Sequence, residues 1–434
     1  MAIFSGADAQ TLATDSLAFR LDSLARALLY ERADLVSAHI GISFFDPVSE
    51  SFLYNYQAEK YFTPASNTKI LTLYAGLSNL PENIPSLQYY ETADTLFFQP
   101  TGDPTFLHPM FVTNPAYTFL KWHPKPLVYV PPRSDDPPFG PNWSWDDYAE
   151  TYQPERSAMP IYGNLAHFYC VGDTLCAMPR CLADSSFVVY SGMSERLKVQ
   201  RDLGANVFRV SLPTNGTGRG AADLPFVTSD SLLLRMLADT LGRPVGMSQN
   251  STSFMGGWRE LSGLPIDTLY RLMMYASDNF LAEQILRMSS FRVLGRVNTP
   301  DFIDFLLKSK LYGSPQPLAW YDGSGLSRFN LVTPKSMVFV LNKLYKEQPR
   351  GRLFSFFPTG GLGTLNNRYD GMRGRIFAKT GTLRNNVSLS GFLVLPDERV
   401  VIFSILVSNH NTSAGKVRAA VEQFLEGANT ALAK

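Results

Sequence analysis

Three short strings in this 434-residue chain hold residue types that can do chemistry together. The first is Ser66-Asn67-Thr68-Lys69, preceded by Thr63-Pro64-Ala65 and followed by the apolar pair Ile70-Leu71. If a helix starts here, Ser66 and Lys69 stand at i and i+3 on one face. The lysine amine can then reach the serine hydroxyl. The free N–H groups of the helix's first turn lie beside that hydroxyl, where an oxyanion would form. The second string is Ser277-Asp278-Asn279, leading into a helix whose apolar face is Phe280, Leu281, Ile285 and Leu286. Alone, it reads equally well as a helix N-cap cluster. The third is Lys379-Thr380-Gly381-Thr382, on a strand. Its glycine would let a substrate backbone lie close along that strand. The plain alternative is a strand with an exposed lysine.

Other chemistries find little support. The five histidines are scattered singly, and no H-E-x-x-H, G-x-S-x-G or G-x-x-x-x-G-K-[ST] pattern is present. Gly360-Gly361-Leu362-Gly363 and Gly323-Ser324-Gly325 therefore read as turns. The three cysteines, Cys170, Cys176 and Cys181, are too few for a disulfide-built scaffold. One pair could be bridged. A zinc site would want a fourth ligand, and the nearest histidine, His167, has an irregular spacing. We expect a local structural role for these cysteines, no metal and no cofactor.

The elements that must position the three strings are legible in outline. Leu17, Leu21, Leu24 and Leu28 repeat at helical spacing and predict a helix over 13–30. Strand-like runs at 38–45 and 51–56 flank the turn Asp46-Pro47-Val48-Ser49. Near the other end, 375–382, 390–395 and 400–408 predict three successive strands, followed by a helix with Val417, Val421, Phe424 and Leu425 on one face. Strands from both ends of the chain are expected to share one antiparallel sheet covered by the two terminal helices. From about residue 95 to 225 the chain is dense in proline and glycine with short apolar runs, a β-rich insertion. Helical patterning returns at 230–241 and continues through 264–288 and 301–311.

Bulk properties bound the partners. Lys+Arg at 39 against Asp+Glu at 38 gives a net charge of +1, which argues against nucleic acid. With 45% hydrophobic and 18% charged residues the chain is in the globular range, and its length suits two to three domains. No run approaches the ~20 apolar residues of a membrane helix. Ala7-Asp8-Ala9 followed by Gln10 has the small-x-small form of a signal-peptidase site, behind a segment too short to be a full signal. We expect an exported protein of the periplasm or cell envelope, its signal trimmed near Ala9.

In the order S-x-x-K, S-D-N, K-T-G, the strings match the signature of class A β-lactamases and penicillin-binding proteins. About 200 residues separate Lys69 from Ser277, far more than a plain β-lactamase places there. The chain resembles the low-molecular-mass, class C penicillin-binding proteins of the D-alanyl-D-alanine carboxypeptidase/endopeptidase type, peptidase family S13, which carry a large insertion at this point. Thr101-Gly102-Asp103-Pro104-Thr105, Trp143-Ser144-Trp145-Asp146-Asp147, Ser277-Asp278-Asn279-Phe280-Leu281-Ala282-Glu283-Gln284 and Asp322-Gly323-Ser324-Gly325-Leu326-Ser327-Arg328 carry the likeness, which runs from about 35 to 425. It implies an α+β fold: a β-lactamase/transpeptidase-like domain, an antiparallel sheet covered by helices, built from 1–75 and 226–434. A β-rich insertion at 76–225, in one or two lobes, interrupts it.

The resemblance also implies a mechanism, which agrees with the chemistry of the residues. Ser66 would attack the carbonyl of a D-Ala-D-X amide in peptidoglycan stem peptides and form an acyl-enzyme; β-lactam antibiotics would acylate the same serine. Lys69 would take the serine proton, so it must be neutral. Lowering a lysine pKa from ~10.4 to about 7–8 takes on the order of 4 kcal/mol of differential stabilisation, and burial and the second cation, Lys379, push that way. Ser277 would relay the proton to the leaving amine, and Asn279 would hold the acyl-side amide. Lys379, Thr380 and Thr382, with Gly381 between them, would receive the terminal carboxylate. The N–H groups of Ser66 and Thr382 would form the oxyanion hole. In proteins that resemble this one an acidic residue of the insertion reads the amino end of the substrate's diamino acid, and Asp147 fits that place. Asp278 is expected to point away from Lys69, and Glu283 to be scaffold. Two rivals remain: a serine β-lactamase, although no E-x-x-L-N string follows Ser277, and a wall-binding or antibiotic-sensing module that acylates once without turnover.

Overall fold

The computed structural model describes residues 17–433 apart from 215–219 and 249–256. The Ala7–Gln10 string and the first residues of the expected N-terminal helix lie outside these. By its contacts the chain divides into two units. The first comprises residues up to Ala75, Leu269–Asp278 and Ile303 onward; the second comprises Gly76–Thr268 and Asn279–Phe302.

The centre of the first unit is a five-stranded antiparallel sheet. Its strands are β1 (His39–Asp46), β2 (Ser51–Tyr56), β3 (Ile376–Leu383), β4 (Asn386–Val394) and β5 (Val400–Ser408), in the order β3-β4-β5-β1-β2. The two ends of the chain meet where β1 lies against β5, with Ile42 opposite Ile405 and Phe44 opposite Phe403. Every residue of β4 and β5 is buried, so both faces of these strands are covered. Side chains alternate between the faces of a strand. On one face, Ile42, Phe44, Leu389, Phe403 and Ile405 pack with Leu21, Ala25 and Leu29 of the N-terminal helix, and with Val417, Val421, Phe424 and Leu425 of the C-terminal helix Ala414–Leu432. On the other face Ser390 and Ser404 pair their hydroxyls at 2.9 Å, and Phe392 packs against Tyr345, Phe354 and Phe357.

Three elements differ from the sequence expectation. The N-terminal helix ends in a π-helical turn, Arg26–Tyr30. The strand expected at 390–395 starts four residues earlier, because Asn386–Leu389 pair with Leu383–Thr380 of β3. The helical stretch expected at 264–288 opens on the last two residues of a strand, Arg259–Pro265, and is otherwise two helices, Asp267–Ala276 and Asn279–Leu294, broken at Ser277 where φ is +57°.

Among the described residues the second unit holds three sheets. The largest orders its strands Val245–Met247, Leu127–Tyr129, Leu96–Pro100, Asn83–Glu91 and Arg259–Pro265. Because this last strand pairs with Asn83–Glu91, and Val245–Met247 with Leu127–Tyr129, most of 226–268 packs with the second unit rather than with the flanking domain to which the sequence assigned it. Helix Asn279–Leu294 joins them, buried continuously from Phe280 to Ser290. Its charged residues are buried in pairs: Glu283 with Arg156 at 3.4 Å, and Arg287 with Asp136 at 2.9 Å. Breaking such a pair leaves an uncompensated charge and costs roughly 3–5 kcal/mol. Glu283 therefore serves the scaffold. Among the described residues no helix is long and apolar enough to cross a membrane.

Candidate active site

Ser66 sits in a single 3-10 turn, Ala65–Asn67, that runs straight into helix α1 (Thr68–Asn79). The turn opens with Ala65 at φ +49°, a left-handed conformation that costs a non-glycine residue ~1–2 kcal/mol. It is held against β3. Asn67 N–H donates to the Pro64 carbonyl at 3.1 Å, Ser388 Oγ to the same carbonyl at 2.6 Å, and Asn67 Nδ2 to the Lys379 carbonyl at 2.8 Å. The glycine of the K-T-G string has its reason here. A Cβ on Gly381 would come within 2.6 Å of the Pro64 carbonyl and 3.0 Å of Ser66 N. The room at Gly381 admits the serine-bearing turn, which corrects the expectation that it is left for a substrate backbone.

One helical step on, Lys69 is fully buried, with Nζ 3.0 Å from Ser66 Oγ. Lys379, equally buried, donates from Nζ to Ser277 Oγ at 2.8 Å and to the Thr380 carbonyl at 2.9 Å. Desolvation, and then the positive charge of Lys69, hold the Lys379 pKa well below the usual lysine range. Two buried ammonium groups so placed repel each other. Within the first unit the structure thus brings together four expected residues, Ser66, Lys69, Ser277 and Lys379. Asp278 N–H donates back to the Met273 carbonyl at 3.1 Å, which closes the helix before the break.

The loop 322–330 completes the lysine's surroundings. Lys69 Nζ donates to the Ser324 carbonyl at 2.7 Å, and Thr72 Oγ1 to the Gly323 carbonyl at 2.6 Å. The buried Asp322 carboxylate shapes the loop by accepting from Gly325 N, Ser327 N and Asn330 Nδ2 at 2.9, 2.7 and 2.7 Å. Gly325, at φ +86°, lies where any Cβ would run into the Ala65 carbonyl. Sequence reasoning took Gly323-Ser324-Gly325 as a turn and missed what its carbonyls do. The available signal was Asp followed by Gly-Ser-Gly, an Asx-turn composition.

On β3, Thr380 is half-buried and Thr382 exposed; Thr382 Oγ1 accepts from Arg418 Nη2 at 2.7 Å. Asn279 and Asp147 belong to the second unit. Asn279 Nδ2 donates to the Tyr152 carbonyl at 3.0 Å. Asp147 ends the 3-10 turn Trp145–Asp147 and bonds the Tyr152 phenol, whose pKa is pushed up to about 12, first by burial and then by this carboxylate. Tyr152 thus links the two residues. The three cysteines are free thiols. Cys170 lies opposite Leu175 and Cys176 opposite Tyr169, so their side chains leave the hairpin on opposite faces and do not bridge. Among the described residues no group of three or more His, Cys, Asp or Glu is gathered as for a metal ion.

Comparison with known proteins adds relatives to this geometry. Residues 259–427 match the model of the D-Ala-D-Ala carboxypeptidase 3 (S13) family. Over 158 residues, 34% of this chain and 33% of the relative, the sequence is 32% identical to the D-alanyl-D-alanine carboxypeptidase DacB of Haemophilus influenzae. It is also 32% identical over 150 residues, 31% of this chain and 28% of the relative, to the penicillin-sensitive carboxypeptidase A of Dictyostelium discoideum. These matches span about a third of each relative's length. In structure, the fold superposes on that of penicillin-binding protein 4 (dacB) from Haemophilus influenzae with a TM-score of 0.69 at 20% identity, covering 95% of this chain and 99% of that one.

Proposed function

We propose, from the match of residues 259–427 to the D-Ala-D-Ala carboxypeptidase 3 (S13) family model, that this chain is a member of that family and a serine D,D-peptidase of peptidoglycan, with the first unit as its catalytic domain. One observation carries the reading. The reactive side chains of the three strings meet in pairs, Ser66 with Lys69 at 3.0 Å and Ser277 with Lys379 at 2.8 Å, around two buried amines.

In the forward step the neutral Lys69 amine accepts the Ser66 proton while its own N–H donates to the Ser324 carbonyl, which fixes the direction of its lone pair. The Ser66 Oγ–carbonyl carbon bond forms and the C–N bond to the terminal D-residue breaks. The proton reaches the leaving amine through the Ser277 hydroxyl, oriented by Lys379. Water then adds to the acyl carbon, the C–Oγ bond breaks and Ser66 recovers a proton. The N–H groups of Ser66 and Thr382 receive the oxyanion. Lys379, Thr380 and Thr382 hold the terminal carboxylate. Asn279 exchanges the Tyr152 carbonyl for the acyl-side amide, and Asp147, on the same tyrosine, reads the amine of the diamino acid. β-Lactams acylate the same serine. The site of action is the periplasm or cell envelope.

The test is incubation with defined peptidoglycan fragments, monomeric pentapeptides and cross-linked dimers. Release of D-Ala or opening of the cross-link by the wild type, and by neither under Ser66→Ala, is the expected result. Penicillin labelling without cleavage of either fragment would mean a module that acylates once. Penicillin hydrolysis outpacing peptide cleavage would mean a β-lactamase.

A further inference from the structure

Arg418, near the start of the C-terminal helix Ala414–Leu432, was not singled out by any motif, and its surroundings are unusual for an arginine. It is half-buried, and desolvation followed by the like charge of Arg368 lowers its pKa from the ordinary arginine value. A helical arginine ordinarily takes a carboxylate at i+4. Here that residue is Glu422, and its carboxylate is committed elsewhere, accepting from Arg368 Nη1 at 2.9 Å and from Tyr369 N–H at 2.6 Å. Among the described residues Arg418 pairs with no acid. It reaches instead to the K-T-G-T strand, where Nη2 donates to Thr382 Oγ1 at 2.7 Å, and with Thr380 and Gly381 it lines a small cavity.

The direction of that hydrogen bond has a chemical consequence. A guanidinium has five N–H donors and no acceptor, so Thr382 Oγ1 must accept. Its own O–H is then turned away from Arg418 and polarised by it, ready to donate to an incoming anion. The remaining guanidinium donors have the fork geometry that suits a carboxylate. An uncompensated cation held behind a hydroxyl on the substrate-side strand lacks only its anion.

We propose that Arg418 is a specificity-determining residue that selects substrates with a free carboxylate α to the scissile nitrogen, acting through Thr382 and with its own unused N–H donors, against the same substrates amidated or esterified there. This rests on the reading of Thr382 as part of the carboxylate site.

The experiment measures kcat and KM for a peptide ending in D-Ala-D-Ala and for its C-terminal amide, with the wild type, Arg418→Gln and Arg418→Lys. In parallel, acylation rates are measured with a penicillin and with its methyl ester. Loss of one partner of a charge-assisted pair typically lowers affinity by on the order of 30-fold or more. Arg418→Gln should lower kcat/KM for the carboxylate forms by about that factor and leave the amide and ester within about twofold, so that the preference collapses. Arg418→Lys should restore part of it. Equal losses on both forms would make Arg418 a structural residue, and no loss on either would show that it does not sense the carboxylate; either result overturns the proposal. If the wild type cleaves neither peptide but is acylated, the peptidase reading fails, while the penicillin and ester pair still decides the role of Arg418.

Discussion

The side-chain amide of Asn67 donates to the main-chain carbonyl of Lys379 at 2.8 Å, across 312 positions of sequence. The residue after the serine is thereby tied to the strand residue that orients Ser277. Asn67→Ala would remove this buried hydrogen bond while the β3–β4 ladder at Lys379 remains, at a cost of about 0.5–1.5 kcal/mol. Urea denaturation should show a loss of that size, and labelling by a fluorescent penicillin should slow. A variant with unchanged stability and labelling would mean that the tie is not needed to align the two motifs.

Lys69 is expected to work only as a neutral amine. Arginine does not deprotonate in the working range. Lys69→Arg should therefore lose acylation nearly as completely as Ser66→Ala, although it keeps a donor toward the Ser324 carbonyl. Stopped-flow measurement of penicillin acylation checks this, and retention of a tenth of the wild-type rate would count against a base at this position.

Lys379 titrates below an ordinary lysine because burial and Lys69 disfavour its charge. Between the folded and unfolded pKa values the unfolded chain binds more protons, so this residue's contribution to stability rises with pH over that window. Below the folded value Lys379 is charged in both states and the burial of its charge weighs fully against folding. The difference in Tm between the wild type and Lys379→Met should accordingly move in favour of the wild type as pH is raised from neutral toward about 10. A difference that stays flat with pH would contradict the depressed pKa.

Asp147 is linked to Asn279 through Tyr152, and that linkage carries its proposed role. Asp147→Asn keeps an acceptor for the Tyr152 phenol but removes the charge. On peptides carrying an amino group at the diamino acid, kcat/KM should fall by about thirty-fold, corresponding to roughly 2 kcal/mol. Penicillin acylation should barely change, because penicillin has no such amine. Equal losses on both would indicate a structural defect instead.

Two glycines with positive φ make a controlled comparison. Gly325 and Gly374 have φ of +86° and +72°, yet a Cβ at Gly325 would strike the Ala65 carbonyl while one at Gly374 meets nothing within 4 Å. Gly374→Ala should cost only the ~1–2 kcal/mol of a left-handed alanine. Gly325→Ala should cost more and also abolish penicillin labelling, because it displaces the turn that carries Ser66. Similar Tm losses with labelling intact in both would refute the role given to that contact.

Much of this site was legible because the chemistry uses side chains at short fixed spacings: Ser66 and Lys69 on one helical face, Lys379 and Thr382 on one strand. What the sequence hid depends on main-chain atoms or on distant elements. The Ser324 carbonyl that receives Lys69 has no residue-type signature. Gly381 looked like room for a ligand, because only the folded chain reveals that Pro64 and Ser66 fill it. Arg418 belongs to no motif, and that it takes no acid depends on Glu422 being held by Arg368. The strand Arg259–Pro265 went unassigned in the sequence because its partner, Asn83–Glu91, lies about 170 residues earlier.

Synthesis proceeds from the N-terminus, and this sheet cannot close in that order. β1 emerges early, but its partner β5 is made more than 350 residues later, and β3, which braces the Ser66 turn, comes only shortly before it. A nascent chain therefore carries Ser66, the proposed nucleophile, through more than 300 residues of synthesis without the strands that surround it. Chains stopped at Pro396 should bind no fluorescent penicillin, and reactivity should appear only in chains that include β5. Under the proposed peptidase function, the chain would thus be inert until β5 is in place, a timing imposed by strand order alone.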